Sequence, residues 1–194
     1  MKTRTKKILL IAATLFFVLI GLGGAWLWYL GSYVHQHCIM ITGSAFHLYA
    51  DDRQGQLPFS TNGFGNALLQ LVSSNYLPGV AWICGPDDDG HNFKEALKNN
   101  SVVPEDQCSR VYIQGLSESN DGNICILFDR NSCKGGDHFR SPWGHRVREL
   151  CRLDGSMLVI RDEAWPEFSR NQVELLVAAG FSRTNTLRYY PAAK

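Results

Sequence analysis

The chain has 194 residues, 45% of them hydrophobic, and its 19 basic and 18 acidic residues give a net charge of +1 at pH 7. Four of the basic residues, Lys2, Arg4, Lys6 and Lys7, crowd the very start, so the remainder is slightly acidic. This mixed balance without a basic stripe excludes nucleic acid as the expected partner, and the length suits one domain with a real core behind an N-terminal apolar segment.

Residues 1–7 read as a cytoplasmic basic tip, and the uncharged run from Ile8 to Leu30 follows directly. At about 1.5 Å per helical residue the run reaches roughly 34 Å, enough for the ~30 Å hydrocarbon core of a bilayer. The expectation is a transmembrane helix over 8–30 acting as a signal-anchor. It would be single-pass in the inner (cytoplasmic) membrane, with the N-terminus in and the C-terminal domain outside the cytoplasm, because flanking basic residues stay cytoplasmic. A cleavable signal is the rival, since Gly23 and Ala25 have peptidase-site spacing. The length of the run and the aromatic belt of Trp26, Trp28 and Tyr29 favour the uncleaved anchor.

Residues 31–194 form the expected exported domain. Helical periodicity continues past Leu30, with Cys38, Ile41, Ala45, Leu48 and Tyr49 on one side and His37, Ser44, His47 and Asp51 on the other. One long helix is therefore expected to enter the domain and lie on its body. After the turn at 51–56, a helix is predicted over 67–72, a short strand over 80–84 and a short helix over 92–98. Strands are predicted over 110–114, 124–129, 147–153 and 156–160, the last two joined by a two-residue hairpin turn at Asp154-Gly155. Ser169 and Gln172 read as a capping box opening a helix over 170–179, and Arg188-Tyr189-Tyr190 as an edge strand. The fold class is α+β, a long N-terminal transmembrane helix packed against a small antiparallel sheet.

All six cysteines, Cys38, Cys84, Cys108, Cys125, Cys133 and Cys151, follow the apolar run. In an exported domain they are expected to form disulfides, with Cys84, Cys108, Cys125, Cys133 and Cys151 as candidates and 15 pairings open. No C-x-x-C spacing signals a redox site or a zinc knuckle.

The order of basic tip, apolar helix, amphipathic continuation, small helix and antiparallel strands resembles the pseudopilins and type IV pilin-like proteins of type II secretion systems. Asp51, Gly55 and Pro58 after Ala45-Phe46-His47-Leu48-Tyr49, and His145 followed by Asp154-Gly155, resemble an exported pilin-like domain of largely unknown function with a C-terminal histidine, spacer, Asp-Gly motif. Trp82-Ile83-Cys84-Gly85-Pro86-Asp87 resembles that family's apolar-Cys-Pro segment, with Gly85 inserted. Prepilins ordinarily carry Gly-Phe before the apolar run and a glutamate five residues into it. Here Lys7 is followed by Ile8-Leu9-Leu10-Ile11-Ala12, so the expectation extends to a permanently anchored relative.

The loop Asp87-Asp88-Asp89-Gly90 offers closely spaced hard oxygens suited to calcium, without the complete EF-hand pattern; a solvated acidic turn is the bland alternative. His91, His138 and His145 lie in separate loops with no diagnostic spacing, and no nucleophile elbow, phosphate loop or zinc-protease motif is present. Trp82, Phe139, Trp143, Trp165 and Phe168 are read as core. The expected function is non-catalytic: a membrane-anchored assembly protein whose partners are membrane lipid and other pilin-like or secretion-system subunits. A tethered, disulfide-braced envelope binding module is the alternative, and an anchored hydrolase ranks third. No cofactor is expected beyond the calcium candidate.

Overall fold

The computed structural model describes residues 2–85, 88–134 and 145–191, with side chains described from 13 to 27 and from 38 onward within those ranges, Lys134 excepted. A single helix, α1 (Lys2–Asp51), occupies the N-terminal quarter. The chain divides into two units, Met1–Val34 and His35–Lys194. Among the described residues no helix is long and apolar enough to cross a membrane. That corrects the expected transmembrane helix over 8–30, and with it the membrane-spanning fold class, the signal-anchor and the single-pass inner-membrane location. The side chains of 8–12 and 28–30 and of the basic tip lie outside the described residues.

Within the second unit, α2 (Phe64–Ser73) buries Phe64, Ala67, Leu68, Leu69 and Leu71. Its N-terminus has no cap of its own; the Phe64 N–H donates to Glu105 Oε1 at 3.0 Å, a carboxylate lent from 41 residues away. The predicted strand at 80–84 is instead a 3-10 turn over Val80–Trp82, closed by the Ile83 N–H on the Val80 carbonyl. Next comes α3 (His91–Asn99), opened by Gly90 and closed by Asn100, both left-handed.

Five strands make one antiparallel sheet: β1 (Arg110–Tyr112), β2 (Cys125–Asp129), β3 (Cys133–Lys134), β4 (Arg146–Arg152) and β5 (Met157–Arg161). The order is β1-β2-β4-β3, with β5 on the other side of β4. The β4–β5 turn has three residues rather than two. The Gly155 N–H donates to the Arg152 carbonyl and the Arg152 N–H to Ser156, and only Gly155 takes a positive φ, 80°. This is a type I turn closed by a glycine bulge.

Two helices end the chain. The first, α4 (Trp165–Ala178), begins at Trp165-Pro166, where proline at the first turn costs no hydrogen bond. Ser169 and Gln172 therefore sit mid-helix and are buried, not capping. Gln172 works across the interface: its Oε1 accepts from the Cys125 N–H at 2.7 Å and its Nε2 donates to the Asn123 carbonyl at 3.2 Å. The expected C-terminal strand is α5 (Arg183–Tyr189), capped by Ser182, whose hydroxyl accepts from the Asn185 N–H.

Strand alternation sorts the sheet's side chains between two helical layers. On one face Tyr112, Leu127 and Cys151 meet the outer half of α1: Phe46 stacks on Tyr112 with ring centroids 4.8 Å apart, and Gly43 lies over the Cys151 thiol. On the other, Phe128 stacks on Tyr190 at 4.9 Å and packs against Trp165 of α4. Arg110 and Asp129, paired across β1 and β2, form a fully buried ion pair at 3.2 Å on the α1 side. Arg110 also donates to the Trp82 carbonyl at 2.9 Å, and Asp129 Oδ2 accepts from the Glu149 N–H at 3.0 Å. Trp165 is core as expected, Trp82 and Phe168 are half-buried, and Phe139 and Trp143 lie outside the described residues.

Candidate functional site

Three places bear on function. The first is the surface of α1 between Leu15 and Leu27. Leu15, Phe16, Phe17, Val18, Leu19, Ile20, Leu22, Trp26 and Leu27 are each between 50% and 71% exposed. Consecutive residues of a helix point in successive directions 100° apart, so this surface is apolar all round. Gly21, Gly23 and Gly24 leave open space beside the backbone.

The second is where the motif residues gather. The turn after α1, held by the Gly55 N–H on the Ala50 carbonyl, meets the 117–121 loop through the Gln56–Ser117 bridge and the Glu118 N–H on the Gly55 carbonyl. Glu118 Oε1 lies 2.9 Å from His47 Nδ1, an imidazole–carboxylate pair one-third exposed on both sides. The other imidazole nitrogen, Nε2, comes within 3.1 Å of where a side chain on Gly155 would begin. Asp154 beside it accepts the Ser156 N–H at 2.8 Å. Its bonds with Ser156 hold the carboxyl below the ordinary carboxylate range, with the charges of Arg152 and His47 adding to the effect. Gly155 and Asp154 thus lie on the His47 side of the pair and Gly55 on the Glu118 side, while Pro58 offers its carbonyl to the Tyr112 hydroxyl at 2.9 Å. Asp51 is exposed at the end of α1. His145 is exposed at the opposite end of β4 from Asp154, so the two motif members bracket the strand. Because Nε2 is turned to the hairpin backbone, the pair suits a clamp joining α1 to two loops better than a general base. Sequence reading missed the pair: Glu118 lies 71 positions from His47 and no spacing rule links them.

The third is the acidic loop. Asp87 lies outside the described residues. Asp88 accepts from the Gly90 N–H at 2.8 Å and the Ser109 hydroxyl at 2.5 Å, and Asp89 accepts from the His91 N–H at 2.9 Å. These carboxylates serve the start of α3. Asp88, Asp89 and Asp106 line a groove of about 350 Å³ together with Arg130, whose guanidinium opposes a cation there. Among the described residues no group of three His, Cys, Asp or Glu side chains is placed to hold a metal ion.

The cysteines correct the disulfide expectation. Among the described residues no two cysteine sulfurs stand at bonding distance, and Cys84, Cys108, Cys125 and Cys151 carry free thiols. These four find carbonyl partners instead: Cys84 on Val80, Cys108 on Pro104, Cys125 on Leu127 and Cys151 on Arg152. Burial pushes Cys84, Cys108 and Cys151 up to about 12, and Cys125 higher still. They are small hydrophobes of the core, not nucleophiles. His91 is exposed beside Glu95 at 3.7 Å, and His138 lies outside the described residues.

No protein family, no curated protein and no solved structure matches the chain.

Proposed function

We propose that the chain is a non-catalytic, pilin-like assembly subunit of a type II secretion or type IV pilus-like system, joined to like subunits through the apolar part of α1. The observation that supports it most is the all-round apolar surface from Leu15 to Leu27. Nine large apolar side chains exposed together form a patch that lone soluble domains do not carry, and a helix apolar on every side needs apolar neighbours. Packed helices of like subunits supply them, and Gly21, Gly23 and Gly24 give such a neighbour room to approach the backbone closely. The 35–194 unit then forms the folded body, with its buried thiols and ion pair serving stability.

A photoreactive residue at Phe17, activated in native extracts, tests the reading. Crosslinks to further copies or to pilin-like subunits support it; crosslinks confined to unrelated proteins, or none at all, contradict it.

A second reading, a ligand-binding module, draws support from a groove of about 500 Å³ beside exposed Phe59, lined by Gln114, Phe181, Asn185, Arg188 and Tyr189. It requires a saturable soluble ligand that raises the melting temperature of the protein.

A further inference from the structure

We propose that the outer edge of β5 pairs antiparallel with β5 of a second copy of this chain, about a two-fold axis through Val159.

The hydrogen-bond parity of the sheet fixes which groups are on offer. The Arg152 N–H donates to the Ser156 carbonyl at 2.8 Å, so 152 and 156 are a bonded pair. Counting along the register, Leu150–Leu158 and Arg148–Ile160 are also bonded pairs, and Cys151–Met157, Glu149–Val159 and Val147–Arg161 are the non-bonded ones. The opposite side of β4 agrees: the Leu153 and Glu149 N–H groups both turn toward β2, to the Ile124 carbonyl and the Asp129 carboxylate. Met157, Val159 and Arg161 therefore direct their N–H and C=O groups away from β4. Among the described residues no other strand pairs with β5.

Proteins normally blunt such an edge with proline, a bulge, or a charge within the strand. Here Met157-Leu158-Val159-Ile160 carries none of these, and the strand's one charge, Arg161, stands at its last position; Val159 is 47% exposed and Met157, Leu158 and Ile160 are half-buried. The partner follows from the symmetry of the edge. With Val159 on the axis, Val159 faces Val159 of the second copy and Met157 faces Arg161 in both directions. Every outward group is then matched and no like charges meet. The neighbouring two-fold registers match fewer of these groups: centring on Leu158 would oppose Arg161 to Gly155 in the turn, and centring on Ile160 would oppose Met157 to Glu163 in the 3-10 turn over Asp162–Ala164.

The experiment uses the full chain, with a photoreactive residue at Arg161 and an equal mixture of ¹⁵N-labelled and unlabelled protein. Mixed-isotope crosslinks joining position 161 to the peptide around Met157 are expected. They should be lost in Val159→Pro, which removes an outward N–H that β4 does not use. If that variant does not fold by circular dichroism, Val159→Lys, which sets like charges against each other on the axis, takes its place with the same expectation. Crosslinks that are solely intramolecular, that fall elsewhere or on another protein, or that persist in the folded variant overturn the proposal. Crosslinks from position 17 are read separately, so failure of the edge pairing leaves the reading of the N-terminal surface standing, and the reverse.

Discussion

The two described stretches of α1 are built from similar apolar residues and do opposite things. From Ile39 to Ala50 the helix is amphipathic: Ile39, Ala45, Phe46 and Ala50 are at most 2% exposed against the sheet, while Met40, Ser44 and Leu48 face away. From Leu15 to Leu27 no polar face interrupts the apolar surface, and every large side chain is at least half exposed. Helix propensity does not distinguish the stretches; the arrangement of residues around the axis does. An apolar stripe is satisfied by one sheet, whereas an apolar cylinder needs neighbours on all sides.

If the outer stretch holds the domain together, damage beneath it should be costly. Asp129→Ala strands Arg110 in the core and is expected to lower stability by about 3–5 kcal/mol, measured by denaturant unfolding. A loss under about 1 kcal/mol would mean the pair is not buried beneath α1. A smaller effect is expected where helix and sheet touch. A Cβ on Gly43 would lie 2.6 Å from the Cys151 sulfur, so Gly43→Ala should cost roughly 1–3 kcal/mol, offset by about 1 kcal/mol of helix propensity. Adding Cys151→Ala should recover most of the loss, and a double-mutant cycle reads that coupling. At the histidine clamp, Gly155→Ala meets both a positive φ and the His47 ring, and roughly 1–2 kcal/mol of destabilisation is expected.

Alkali sharpens the same contrast by acting on the domain alone. The folded thiols of Cys84, Cys108 and Cys151 ionise only near 12, and burial holds the phenols of Tyr112 and Tyr190 well above their ordinary value. Unfolded thiols ionise near 8.5. The unfolded state therefore releases protons first, and the stability from these groups is whole below about pH 8.5 and lost as pH rises toward 12. The melting temperature should fall steadily over that window, and a flat profile would place these thiols in water.

Much of this architecture was legible in the sequence because it rests on local patterns. The helical continuation past Leu30, the strands near 110, 125, 147 and 157 and the α3 helix all follow from periodicity and turn residues. Local signals also misled. Ser169 and Gln172 have capping-box spacing, yet Trp165-Pro166 opens α4 earlier and frees Gln172 to serve the β2 backbone. Arg188-Tyr189-Tyr190 has strand composition, but Ser182 caps a helix there, and Tyr190 is used to stack on Phe128. The disulfide expectation depended on the compartment inferred from the apolar run, and no local pattern of the cysteines themselves supported it. The clamp joins His47 to Glu118 and the Asp154-Gly155 turn, residues brought together only by the tertiary fold.

On the proposed reading the apolar cylinder serves assembly while the amphipathic stretch serves folding, a division of labour within one helix. It is tested most directly by Phe17→Lys in the full chain, with sedimentation for assembly size and thermal unfolding for the domain measured on the same sample. Loss of the large species with domain stability changed by less than about 0.5 kcal/mol, the ordinary range for a surface substitution, is the predicted result. Assemblies of unchanged size, or a domain that unfolds along with them, would contradict the account.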